Sequence, residues 1–129
     1  MKEIYFRGKR IDIFEEGDSG WVIGYYINVE DFESHYDFPA IIPVDSDIYS
    51  FCEINELYYV DPDTVGQYIG LDDARGDMIF EGDILYNELR RIMIVVEDVR
   101  RIEHLYFHSK EYTIIGNVWD NPELIYERQ

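Results

Sequence analysis

Hydrophobic positions in this chain fall in short alternating runs broken by glycine and aspartate, a rhythm that predicts strands far more than helices. Residues 4–11 read as one short strand followed by a break. The turn formers Gly17-Asp18-Ser19-Gly20 precede Trp21 to Ile27, rich in aromatic and β-branched residues, so the two runs predict a hairpin with Trp21, Ile23 and Tyr25 on one face. Residues 30–36 lack a clean period and read as loop. Ala40 to Val44 is a short strand whose Pro43 places it at an edge or a strand end. Residues 48–59 favour neither period. A single helical turn fits there, and no long capped helix is predicted anywhere.

The second half is more regular. Asp72 to Asp77 reads as a hairpin turn, with Gly76 where a positive φ is wanted. Met78-Ile79-Phe80 follows, then the tight turn Glu81-Gly82-Asp83, then a strand from Ile84 to Tyr86. Residues 91–99 predict a strand with an apolar centre. His104 to His108 alternates polar and apolar and predicts another. Ser109-Lys110-Glu111 turns the chain into a strand from Tyr112 to Trp119, which Asp120-Asn121-Pro122 stops before the short tail Glu123 to Tyr126. The expected fold is therefore mainly β (α+β): a small antiparallel sheet over residues 1–76 and a small curled sheet or SH3-like β-barrel over residues 77–129.

Composition supports a folded chain. Hydrophobic residues make up 47% of the 129, well above a disordered composition, and the 12 Tyr suit half-exposed strands and interfaces. The longest apolar run, Ile92 to Val96, is too short to span a bilayer, and the start of the chain does not resemble a signal peptide. A single cysteine, Cys52, cannot form an intrachain disulfide, and together these features make a reducing cytoplasm the expected compartment. Charge is divided unevenly. Residues 11–74 carry 16 Asp and Glu and no Lys or Arg, whereas residues 75–129 carry seven bases against 11 acids. An acidic half of this kind argues against a nucleic-acid partner, because affinity for phosphates comes from Lys and Arg. It is consistent with a self-repelling soluble surface, or with mimicry of nucleic acid toward a basic groove.

The candidate chemical sets each meet an objection. Asp61-x-Asp63 with Gly66 and Asp72 has the start of a calcium loop, but Val65 stands where an oxygen ligand is needed and Asp72 where a bidentate Glu belongs. A turn fixed by Asp61 and Asp63 through side-chain to backbone bonds accounts for it better, and Asp45-x-Asp47 reads the same way. His104 and His108 would be about 13 Å apart on a strand, too far to share a metal ion. Cys52 has no nearby base to lower its pKa. Gly66-x-x-x-Gly70 has no Gly-Lys-Ser/Thr ending and is not a phosphate loop. One basic cluster remains as a candidate interaction patch: Arg90 and Arg91 with Arg100 and Arg101, which would converge if the two ends paired across a hairpin. Pairing of these arginines with the acidic half is the competing reading.

Several stretches together carry a resemblance. They are Phe6-Arg7-Gly8-Lys9, Trp21 to Tyr25, Asp63 to Leu71, Ile79 to Ile84 and Ile115 to Leu124. In this order they resemble the YopX-like family of bacteriophage and prophage proteins. The chain departs from the usual family pattern at Ile69, where Thr is common, and in the less basic turn Asp73-Ala74-Arg75. The positions taken as structural motif are Thr64, Gly66, Gln67, Gly70, Gly76, Glu81, Gly82, Asp83, Gly116, Asn117 and Pro122. The resemblance implies a mostly β protein with a barrel-like C-terminal part, oligomeric, in an infected or lysogenic bacterium. It implies no mechanism.

The functional expectation is a non-enzymatic phage or prophage accessory protein working through protein–protein contact. Its expected partners are itself, as a homo-oligomer, and a host or phage protein. No catalytic, cofactor-binding or metal site is expected, and no membrane. The alternatives are an acidic nucleic-acid mimic that inhibits a host DNA-binding enzyme, and nucleic-acid binding through the arginine patch.

Overall fold

A computed structural model describes residues 4–11, 20–31, 36–43 and 57–126. The protein is mostly β and divides into two compact units, the first running to Gly66 and the second from Gln67. The sequence places that boundary after residue 76. It falls earlier because β5 (Gly66–Asp72) and β6 (Met78–Phe80) pair as a hairpin, which keeps the turn between them with the second unit.

In the first unit β1 (Phe6–Lys9) pairs antiparallel with β2 (Trp21–Asp31), as the alternation predicts, with Arg7 opposite Ile23 and Lys9 opposite Trp21. β2 pairs in turn with β3 (Tyr36–Pro43), and β3 with the two-residue β4 (Tyr58–Tyr59). Strands β2 and β3 extend into the region read as loop, reaching Asp31 opposite Tyr36. Val22, Ile41 and Val60 form the buried centre, with Phe6, Tyr58 and Val65 packed around it. The basic N-terminus lies over aromatic faces. The Arg7 guanidinium is 4.9 Å from the Trp21 ring and that of Arg10 is 4.3 Å from Tyr58. A 3₁₀ turn over Pro62–Thr64 closes the unit: Asp61 accepts the Asp63 N–H at 3.0 Å, and Thr64 Oγ1 accepts the Lys9 N–H at 2.8 Å. This is the turn expected of Asp61-Pro62-Asp63. Cys52, Asp45, Asp47 and most of the Gly17–Gly20 turn lie outside the described residues.

In the second unit β7 (Asp83–Asn87) is the centre of a three-stranded antiparallel sheet, flanked by β8 (Ile92–Val95) and β9 (Thr113–Asn117). The core is built from Ile69, Ile79, Leu85, Val96, Leu105 and Tyr112. Both β8 and β9 are edges, so of the sheet or barrel that the strand spacing predicts the described residues form an open sheet and no closed barrel. The reason is that the segment after β8 does not supply another strand. Residues Glu103–His108 form a helix, α1, where alternation predicts a strand. Leu105 and Ser109 are buried, Ile102 packs on the core, and Tyr106 and Phe107 are exposed. Spacing of 102, 105 and 109 is a helical stripe, and burial of Leu105 outweighs the strand preference of its neighbours. The tail Glu123–Tyr126 forms a single helical turn, α2, started by Pro122.

Candidate functional site

Two tight turns organise the polar side chains of the second unit. In the first, Asp73 is fully buried at the β5–β6 turn. Its Oδ1 accepts the N–H groups of Arg75 and Asp77, both at 2.9 Å, and its Oδ2 accepts that of Ile114 on β9 at 3.0 Å. Burial pushes its pKa up, but the N–H groups of Ile114, Asp77 and Arg75, with the charge of Arg75, outweigh burial and hold it below the ordinary aspartate value. Asp73 thus ties the turn to an edge strand. The turn predicted over Asp72 to Asp77 is present, and the tie from Asp73 to β9 is not a local feature of it, because Ile114 is 41 residues away.

The second turn uses the motif residues directly. Glu81 accepts the Gln67 N–H at 2.8 Å through one oxygen and the Val99 N–H at 2.9 Å through the other. Asp83 accepts the buried Phe80 N–H at 2.8 Å. Gly82 has φ of 94°, and a Cβ there would stand 2.1 Å from the Trp119 ring. Gly116 faces Asn121 in the same way, while Asn117 Oδ1 accepts the N–H groups of Trp119 and Asp120 and closes the turn before Pro122. Gly70 and Gly76 also take positive φ, and Gly66 is buried beside Thr64 at the boundary. These residues hold backbone together, so the carboxylates of the motif are committed to architecture.

Helix α1 brings His104 and His108 together, which a strand would not. Their rings stack at 4.8 Å. The spacing of about 13 Å expected on a strand is therefore corrected to neighbouring positions one helical turn apart. His104 Nε2 meets the buried Tyr112 hydroxyl at 2.8 Å, and His108 pairs with Glu111. Among the described residues no three His, Cys, Asp or Glu side chains converge as a metal site requires.

The arginine patch divides in two. Arg90 and Arg91 occupy the exposed β7–β8 turn, Arg91 with φ of 56°, whereas Arg100 and Arg101 follow the far end of β8. The two ends do not pair with each other. Arg100 bonds Asp98 at 2.9 Å, and Arg101 lies 3.8 Å from Glu97, so these two are matched by acids of their own segment. Around β8 stand exposed apolar side chains: Leu89 in the turn is 94% exposed and Ile92 is 41%. On α1, Phe107 is 81% exposed, against the edge of the Tyr106 ring. An edge strand, exposed apolar side chains and flanking charge thus occur together on the second unit.

The chain is thus a two-unit, mostly β protein whose polar motifs serve the fold and whose most exposed apolar side chains among the described residues, Leu89 and Phe107, lie on the second unit. It belongs to the YopX family: the family model described as YopX protein matches residues 25–126, more than half of the chain. No curated protein matches it. Among the described residues no helix is long and apolar enough to cross a membrane.

Proposed function

We propose that this YopX family member is a non-enzymatic accessory protein of a phage or prophage, acting in the bacterial cytoplasm through protein–protein contact as a homo-oligomer. The observation that carries this reading is the exposure of Leu89, Tyr106 and Phe107 on one small unit of a strongly acidic chain. Large apolar side chains left in water on a small sheet are costly unless a partner covers them. Both oxygens of Asp73 and of Glu81, and Oδ2 of Asp83, accept backbone N–H groups, which favours a contact role over catalysis.

Light scattering coupled to gel filtration tests self-association, and a tagged pull-down from lysogenic or infected cells, with and without nuclease, tests for a second protein. A defined oligomer, with or without one nuclease-resistant partner, is the expected result. A strict monomer at all working concentrations would count against the oligomer. Capture of a host DNA-binding protein that is lost at high salt would favour the nucleic-acid mimic instead, since that contact is electrostatic. Species lost on nuclease treatment would favour nucleic-acid binding by the arginines.

A further inference from the structure

Strand β8 is an edge of the three-stranded sheet, and its outer side has no strand beside it among the described residues. Val96 N–H donates to Asp83 O at 2.9 Å, so the even-numbered residues of this segment direct their backbone groups toward β7. Antiparallel alternation then directs those of Met93 and Val95 to the open edge. A second strand adding there must pair odd positions with odd positions.

The sequence around β8 reads Arg90-Arg91-Ile92-Met93-Ile94-Val95-Val96-Glu97-Asp98, bases before the apolar run and acids after it. Turned through a two-fold axis at Ile94, this segment complements itself. Met93 of one copy faces Val95 of the other, in keeping with the odd-to-odd rule, and Ile92 faces Val96. At the rims the Arg90-Arg91 end of each copy meets the Glu97-Asp98 end of the other. Shifting by two residues in either direction keeps the backbone parity but takes Arg91 away from Glu97. The local pair of Glu97 does not prevent the exchange: Glu97 and Arg101 are 71% and 78% exposed and 3.8 Å apart, a weak contact in water, while Asp98 also holds Arg100 at 2.9 Å, so Glu97 is the acid freest to meet the other copy.

From this complementarity we propose that two copies of the chain associate by antiparallel pairing of β8 with β8, centred on Ile94, with Arg91 of each copy against Glu97 of the other. The inference rests on the homo-oligomer reading above and names its surface. Opposite charges across an antiparallel pair stabilise it, and like charges there destabilise it. An isologous edge contact of this kind closes on itself at two copies per contact and covers the apolar edge.

The test is a charge-swap set in the full chain, with folding checked by circular dichroism and association measured by light scattering over a concentration series. R90E/R91E and E97R/D98R should each associate at least ten-fold more weakly than the parent. Mixing the two variants should restore association, because each then meets opposite charge at both rims. As a second probe, Met93→Pro removes an outward N–H without touching the β7 ladder, and it should also weaken association while the fold persists. Folded variants that associate like the parent would overturn β8 pairing and leave self-association on another surface. A parent chain that is monomeric throughout would overturn both readings.

Discussion

Removing the Asp73 carboxylate should destabilise the second unit by about 3 kcal/mol, although the residue lies in a surface turn. The figure comes from its three acceptor bonds. Without the side chain, the half-buried Ile114 N–H loses its acceptor, at a cost of about 1–3 kcal/mol. The N–H groups of Arg75 and Asp77 belong to exposed residues and can rehydrate, so they add about 0.5–1 kcal/mol each. Asp73→Asn is the gentler change. Its amide oxygen still serves Arg75 and Asp77, but its NH₂ meets the Ile114 N–H donor to donor, and the expected loss is about 2 kcal/mol.

Urea unfolding followed by Trp119 fluorescence, in a Trp21→Phe background, reads the second unit alone. With a slope of about 2–3 kcal/mol per molar urea, Asp73→Ala should lower the midpoint by about 1–1.5 M. The pH dependence adds an independent check. A carboxylate whose folded pKa lies below its unfolded value contributes stability that is present above the unfolded pKa and is lost as pH falls through the folded one. The gap between parent and Asn variant should therefore be widest near neutrality and should close on acidification below about pH 4. An Asn variant as stable as the parent at pH 7, or a gap that does not vary with pH, would refute the account of Asp73 as a charged tie between turn and β9.

Gly82→Ala should cost several kcal/mol, about 3 or more, since it combines a positive φ with a Cβ inside the Trp119 ring, whereas Gly76→Ala at φ 87° meets no atom within 4 Å and should cost only about 1 kcal/mol; denaturant midpoints compare the two. Tyr68, through burial and then its hydrogen bond to Asp72 and that residue's charge, has its pKa pushed up to about 12, so its share of the ultraviolet titration should appear well above pH 10 and vanish in Tyr68→Phe. Because the folded value is raised, its contribution to stability holds below pH 10 and is lost as pH climbs toward 12. Arg91→Gly relieves a left-handed backbone but loosens the unfolded chain, so unfolding should show a change between neutral and about 1 kcal/mol stabilising; a loss above that size would show that the Arg91 side chain holds the turn. Glu81→Gln keeps one acceptor and loses the other, which should cost about 1–3 kcal/mol and speed amide exchange at Gln67 or Val99.

Most strands and both turns of the second unit were legible because their signals are local. Gly76 and Gly82 mark positive φ, and Ile84 to Tyr86 alternates as a strand should. What was not legible depended on distant partners. Asp72 and Asp73 are neighbours of the same chemistry in the same turn, yet Asp73 alone is fully buried, because β9 delivers Ile114 to it. Nothing within the turn distinguishes them. Helix α1 failed for a related reason. His104 to His108 satisfies a strand pattern, but the core accepts only Leu105 from it, and Ile102 and Ser109 then fall into place on one helical face. With the helix came the open sheet, since the segment that could have continued toward closure covers the core instead.

The arginines show how topology changes the meaning of an unchanged sequence. Read as a composition, Arg90, Arg91, Arg100 and Arg101 make a basic patch. Read on the fold, β8 stands between the two pairs, at about 3.3 Å per residue, and the acids Glu97 and Asp98 flank the same strand. The far pair is then answered locally by those acids, Arg100 closely by Asp98 at 2.9 Å and Arg101 loosely by Glu97 at 3.8 Å, which leaves the near pair in the exposed turn. Charge that looked suited to an anionic partner becomes an ordered base-to-acid sequence along an exposed edge. Such an order has a direction, and an antiparallel copy of itself is the simplest surface that reverses it.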